Sequence, residues 1–344
     1  MKNILFIISG IHKLGGSERV AISLANELSK SYKVTILSRG NNSTKNAYPL
    51  IPAVNDIKID GNNLAFIKHI KRYVKENSPD KIIIHTMSKL TPILLLSNLN
   101  IDSIWSLEHI SFESHPKFYQ LLRKLLYRKL EKVLVFTDSQ KEIFLNYGNN
   151  VEIIRNPSPF PITTNTYNTD SKIIVSIGSL EHRKGFDMLI ESWSIVSSKH
   201  PDWTLNIYGE GKDKDFLKSK INDLNIKNIN LKGQVHDTCS VYDNASFYVM
   251  SSRFEGLPMV LIEAQSRGLP LVSFDCPTGP REIIENEKNG ILVPPNDVQL
   301  LAISIIELID DSQKRSNMSY VSKQNAENFT LNNVINSWIK LLES

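Results

Sequence analysis

A chain of 344 residues is longer than most single cores and falls in the range of two domains. Its 41% hydrophobic and 22% charged residues are those of an ordinary globular protein and exclude disorder. The net charge of +4 hides an asymmetry: residues 1–160 carry 22 Lys and Arg against 13 Asp and Glu, while the remainder carry 18 against 23, so the first part is basic and calls for a partner or substrate. Cys239 and Cys276 lack the spacing of a zinc site or redox pair, which points to two core residues in a reducing compartment and no structural metal. The apolar run Ile4–Ile8 is too short for a signal-peptide core or a bilayer span, so a cytoplasmic location is expected.

In chain order the pattern predicts a buried strand over 2–9, a helix over 18–31, a strand over 33–38, a helix over 64–77, and short strands at 81–85, 104–107 and 132–137. Residues 156–171, NPSPFPITTNTYNTDS, carry no period and read as a linker, taken as 161–171 between a first domain of 1–160 and a second of 172–325. The rhythm then restarts with strand 172–177, helix 186–199, strand 204–208, helix 213–224, strands 229–232 and 247–251, helix 258–267, strand 270–274 and a helix near 297–309. This alternation predicts an α/β chain with two Rossmann-like, doubly wound domains facing across a cleft. Residues 326–344 include a helical period (Leu331, Val334, Ile335, Trp338, Ile339, Leu342), expected to cross back onto the first domain.

Ligands of doubly wound sheets sit at the carboxyl ends of strands, so the loops there are where chemistry is sought. In SRFEGLPMVLIEAQSR (252–267), Glu255 precedes Gly256 and Pro258 and is followed eight residues later by Glu263. A helix starting there leaves backbone N–H groups of Leu257, Met259 and Val260 free to bind phosphate, helped by the positive end of the helix dipole. Glu263 is placed to accept from ribose hydroxyls; the plainer alternative makes Glu255 a loop carboxylate and Glu263 a solvated helix position. In IGSLEHRKGFDMLIESW (177–193), Lys184 offers a point charge to a diphosphate and Gly185 a close backbone approach, against the alternative of a solvated basic turn. Gly15 and Gly16 open the first helix without forming GxGxxG, so the dinucleotide fingerprint of an oxidoreductase is missing. His109 follows a strand end, where an imidazole can hold a sugar hydroxyl, although a lone histidine is more often structural or exposed. Asp213 and Asp215 sit at a helix start, where acidic residues offset the dipole, and no metal is expected.

Together, in this order and spacing, the Gly15-Gly16 loop, KGFDMLIES after Gly178, the Glu255-to-Glu263 element and GLPLVSFDCPTGPREIIENEKNGILVPPND resemble the retaining glycosyltransferases of family 4, with the GT-B fold, over nearly the whole chain. The resemblance implies transfer of a hexose or N-acetylhexosamine from a nucleotide diphosphate sugar, UDP by default, to a lipid-linked or saccharide acceptor in bacterial surface polysaccharide synthesis. Neither metal nor cofactor is implied. It casts Glu255 as a contact of the donor sugar, Glu263 of the ribose, Lys184 of the diphosphate, His109 of the transferred sugar, and Gly16 of the phosphate and acceptor region. Many members have Arg directly after the strand-end glycine where this chain has Ser179, and Arg183 is the candidate replacement for that charge.

Residues 117–132, KFYQLLRKLLYRKLEK, read as one amphipathic basic helix, with Leu121, Leu122, Leu125, Leu126 and Leu130 against Lys117, Arg123, Lys124, Arg128, Lys129 and Lys132. On pattern alone it is either a core helix with a solvated face or a seat on anionic lipid. The family resemblance favours the lipid, hence peripheral contact at the inner face of the cell membrane. Nucleic acid is not expected as a partner, because the positive charge lacks an aromatic platform. A sugar-nucleotide 2-epimerase and a nucleotide-sugar-binding regulator are the competing readings.

Overall fold

Fully apolar strand runs need cover on both faces, and parallel sheets with crossover helices provide it. The computed structural model describes residues 1–12, 15–41, 43–86, 89–97, 103–110, 112 and 115–344, without the side chain of Thr86. Its chain divides into two compact units, Met1–Asn156 with Val334–Ser344, and Pro157–Asn333.

The first unit runs β1 (Asn3–Ile8), α1 (Gly16–Leu28), β2 (Lys33–Arg39), β3 (Asn55–Ile59), α2 (Asn63–Asn77), β4 (Lys81–Thr86), α3 (Leu90–Leu96), β5 (Ile104–Glu108), α4 (Lys117–Leu126), β6 (Lys132–Val135), α5 (Asp138–Leu145) and β7 (Val151–Ile153). Its sheet has the order β3-β2-β1-β4-β5-β6-β7, and every pairing is parallel. β5 is buried along its whole length, and Leu5, Ile7, Ile82, Ile84, Val133 and Val135 form the core with Phe66 and Ile70 of α2.

The second unit runs β8 (Ile173–Ile177), α6 (Phe186–Lys199), β9 (Thr204–Tyr208), α7 (Lys214–Asp223), β10 (Ile229–Gly233), α8 (Thr238–Asp243), β11 (Phe247–Met250), α9 (Met259–Ser266), β12 (Leu271–Phe274), β13 (Gly290–Val293), α10 (Val298–Asp310) and α11 (Ser312–Ala326). Its order is β10-β9-β8-β11-β12-β13, again all parallel. In each unit the winding reverses beside the first strand, between β1 and β4 and between β8 and β11. These are the topological switch points at which doubly wound sheets bind ligands.

The segment expected as a linker is hydrogen-bonded to the second unit: Thr163 N–H donates to the Ser266 carbonyl, Tyr167 OH to the Ser246 carbonyl at 2.5 Å, and Arg315 to the Thr169 carbonyl at 2.9 Å. The last helix, α12 (Leu331–Glu343), buries Val334, Ile335, Trp338 and Leu342. Lys2 of the first unit donates to the Leu342 carbonyl at 2.6 Å.

Three strands that the sequence reading does not include, β3, β7 and β13, lie at sheet edges; β3 and β7 carry few fully buried residues, whereas β13 is a short apolar run whose Ile291 and Val293 are buried in the core. The helix expected over 117–132 is shorter and turned differently. α4 ends at Leu126, a 3₁₀ turn covers Tyr127–Lys129, Leu130 is buried and Lys132 opens β6. Arg123, assigned to the basic face, is buried and faces inward to Glu108, while Leu121 and Leu125 are exposed.

Candidate active site

In the second unit the loops after β8 and β11 flank the switch point, and they are laced together. Gly185 takes a left-handed φ of +65°, and a Cβ on it would lie 2.0 Å from the Ser251 carbonyl oxygen. Only glycine allows that approach. Ser251 Oγ donates to the Lys184 carbonyl at 3.0 Å, Arg253 N–H to the Arg183 carbonyl at 2.9 Å, and the Arg253 guanidinium makes a two-pronged pair with Asp187 at 2.8 and 2.6 Å. Bonds of this planar kind fix direction as well as distance.

The lacing brings three of the expected residues to one point. Lys184 Nζ donates to Glu255 Oε1 at 2.7 Å, and Arg183 Nη1 to Oε2 at 2.7 Å. Ser252 Oγ adds a bond of 2.7 Å to Oε1. Glu255 is 8% exposed, so it is not the solvated loop carboxylate of the plainer alternative. Burial by itself would raise its pKa, but the charges of Lys184 and Arg183, with the bonds from Lys184 and Ser252, outweigh that and hold it below its ordinary value. Two cations on one carboxylate leave a local excess of one positive charge. The Lys184 stem lies over Gly178, where an added Cβ would meet Lys184 Cε at 3.2 Å, so this glycine gives the lysine its path.

Immediately after this carboxylate comes the start of α9. Pro258 is the residue before the first turn and no side chain caps the helix. The first N–H groups of an α-helix have no acceptor within it. The helix begins at Met259, one residue later than expected, and the turn before it is clamped from behind. Thr278 Oγ1 donates to the Glu255 carbonyl, and Gly279, at φ +100°, packs so closely that a Cβ would lie 2.3 Å from the Gly256 oxygen. On α9, Glu263 is 8% exposed and accepts from Tyr242 OH at 3.0 Å, so it is not a solvated helix position.

In the first unit the expected residues are Gly15, Gly16 and His109. Gly15 precedes α1 with φ −146°, an extended conformation open to any residue, and Gly16 is the first helical residue. Lys13 and Leu14 lie outside the described residues. His109 follows β5, and its Nε2 lies 3.2 Å from Nδ1 of His85, near the end of β4. Burial pulls the His109 pKa down to about 4, so the ring is neutral at pH 7.

Several members of these constellations escaped the sequence reading. His85, Tyr242, Ser252, Thr278 and Gly279 stand outside the quoted contacts, although a histidine closing the apolar run KIIIH at a strand end is a signal that was available. Glu108 is another. It is 1% exposed, pairs with Arg123 at 3.2 Å and accepts from Tyr127 OH at 2.8 Å and Ser106 Oγ at 2.5 Å. This cluster anchors α4 to the end of β5. Among the described residues no group of three or more His, Cys, Asp or Glu is placed to hold a metal ion.

The family described as Glycosyltransferase Family 4 matches residues 14–157, and that described as Glycosyl transferases group 1 matches residues 162–325. The amylovoran biosynthesis glycosyltransferase AmsD of Erwinia amylovora is 31% identical over 99% of this chain and 100% of its own. A Campylobacter jejuni α-1,4-N-acetyl-D-galactosaminyltransferase, named for a diNAcBac-PP-undecaprenol-linked acceptor, is 23% identical over 99% of this chain and 98% of its own. Among solved structures, Anabaena HepE in complex with UDP superposes with a TM-score of 0.83 at 18% identity, covering 100% of both chains.

Proposed function

The chain belongs to the glycosyltransferases that join a family 4 domain to a group 1 domain, and from that premise we propose that it moves a hexose or N-acetylhexosamine from a UDP-sugar to a lipid-linked or saccharide acceptor in bacterial surface polysaccharide synthesis, with retention at the anomeric carbon. The observation that carries this reading is Glu255, buried and held by Lys184 and Arg183, directly before the uncapped start of α9. A diphosphate needs positive charge and N–H donors, and both stand beside a switch point. The acceptor class draws on the polysaccharide and undecaprenol-linked roles in the names of the two relatives.

Each residue then has a task. The N–H groups of Leu257, Met259 and Val260, with Gly256 leaving room, receive the diphosphate; Lys184 and Arg183 neutralise it, Arg183 in place of the arginine missing at Ser179. Glu255 orients sugar hydroxyls, Glu263 accepts from the ribose, and His109 donates to the transferred sugar, with Gly15 and Gly16 near the phosphate and acceptor. In the transfer the C1–O bond to phosphate breaks and its electron pair stays on the phosphate. The acceptor oxygen bonds to C1 on the same face, and its proton passes to the departing phosphate oxygen. Charge that develops on that phosphate is what the helix start and Lys184 are positioned to stabilise, so the scheme needs no metal.

The exposed side of α4 supports contact with a membrane. Phe118, Leu121 and Leu125 are 64%, 54% and 63% exposed, and exposed Lys117, Lys124, Arg128 and Lys129 surround them. Apolar side chains ringed by positive charge suit the headgroup region of anionic lipid at the inner face of the membrane. No described helix is long and apolar enough to cross a bilayer.

The test is a panel of nucleotide diphosphate sugars scored by thermal stabilisation, followed by transfer to lipid-linked and oligosaccharide acceptors with the product's anomeric configuration read by NMR. Stabilisation by a UDP-sugar and a retained product are expected. An inverted product overturns retention, isomerised donor without acceptor indicates an epimerase, and binding with no turnover on any acceptor indicates a regulator.

A further inference from the structure

His85 pairs in register with Leu107, and His109 lies two residues beyond that position, so both imidazoles leave the sheet at its carboxyl edge. Their rings are nearly parallel, 21° between planes, with centroids 5.3 Å apart and the facing nitrogens at 3.2 Å. Because the centroids lie about two ring radii farther apart than the facing nitrogens, the two nitrogens sit between the rings and the rings meet edge to edge, as an N–H···N bond requires. Phe6 packs on the His85 ring at 4.9 Å and Phe136 on the His109 ring at 5.4 Å between centroids, which holds the pair in place.

One hydrogen bond between two neutral imidazoles has two tautomeric solutions. They differ in what is left at the far nitrogens. His85 is fully buried, and its Nε2 has no hydrogen-bond partner among the described residues. Were its proton on Nε2, a buried N–H would be orphaned; with the proton on Nδ1, only an acceptor goes unused. As with main-chain groups, the orphaned donor is the rarer and worse outcome. We propose that His85 is a positioning residue: it donates from Nδ1 to Nε2 of His109 and so holds His109 in the tautomer that carries its proton on Nδ1. His109 then presents one N–H and no free lone pair. It gives a hydrogen bond to a hydroxyl or phosphate oxygen of the sugar nucleotide and cannot act as a general base, in keeping with a transfer whose proton ends on the leaving phosphate. Burial lowers the pKa of both rings, His85 well below its ordinary value, and keeps both neutral.

The inference rests on the reading of His109 as a sugar contact, and the experiment separates the two. Long-range ¹H–¹⁵N spectra of the whole protein report directly which ring nitrogen of His109 is protonated, and a wild-type spectrum with the proton on Nε2 overturns the proposal. In His85→Asn an amide N–H replaces Nδ1–H, so turnover should stay near wild type; in His85→Leu the donor is lost, the tautomer becomes mixed, and kcat should fall about tenfold with little change in donor KM, a loss of the size one misaligned hydrogen bond produces. Equal loss in the Asn and Leu variants, with the His109 tautomer unchanged in both, also overturns it. A His109→Ala protein with wild-type kcat would instead remove the sugar-contact reading while leaving the tautomer assignment standing.

Discussion

Lys184 Nζ and Arg183 Nη1 each lie 2.7 Å from a different oxygen of Glu255, so one buried carboxylate holds two cations in check. Removing its charge releases both toward any bound diphosphate. Glu255→Gln is therefore expected to bind UDP at least as tightly as wild type, while transfer falls about a hundredfold through loss of sugar orientation. Calorimetry with UDP and initial rates with the donor sugar measure the two effects separately. Glu255→Ala should also unfold more readily, by about 1–3 kcal/mol, because it removes the shared acceptor of Lys184 and Ser252 while leaving the cations partly open to solvent.

The glycines divide by physical cause. Gly185→Ala places a Cβ 2.0 Å from the Ser251 oxygen at a left-handed φ, and should cost about 2 kcal/mol or more of stability, seen as a lower Tm. Gly15→Ala asks only that the Glu18 carboxylate, 2.3 Å from the added Cβ, swing aside. Its φ of −146° suits alanine, so Tm should be unchanged and any loss of transfer would locate ligand at that backbone.

Buried histidines make stability fall on acidification. Burial, then the charge of Arg123, lowers the pKa of His115 to about 4 from an ordinary 6.5, and burial does the same to His109. Between those two values the unfolded chain binds more protons than the folded one, so stability is complete above about pH 6.5 and declines toward pH 4. Urea unfolding at pH 7, 6 and 5 should show the decline. His115→Gln should flatten its slope by up to one proton, about 1.4 kcal/mol per pH unit.

On the outer face of α4, replacing Phe118, Leu121 and Leu125 together with serine should abolish sedimentation with anionic vesicles, since each buried apolar side chain is worth about 1.5–3 kcal/mol. Wild-type binding should weaken at high salt as the lysine and arginine contributions are screened. Transfer to a short soluble acceptor should be unaffected. Equal sedimentation of wild type and triple variant would remove this face as the membrane contact.

The sequence alone determined the alternation of strands and helices, because buried strands and helix faces leave periodic apolar traces, as β1, β8 and α6 do. It also offered the Lys184 and Glu255 loops as candidates, although each motif alone fits a solvated turn and only their order and spacing together carried the resemblance. The edge strands β3 and β7, mostly half-buried, left no such trace. Which side chains meet was decided only by the tertiary structure. Arg183 and Glu255, 72 residues apart, share one bond because β8 and β11 are neighbours in the sheet. The same holds for His85 and His109, brought together by the β4–β5 register, and for Arg123, whose turn inward to Glu108 contradicts the helical charge pattern. A period records burial averaged along one element, whereas a buried charge is placed by the single partner waiting for it across the fold.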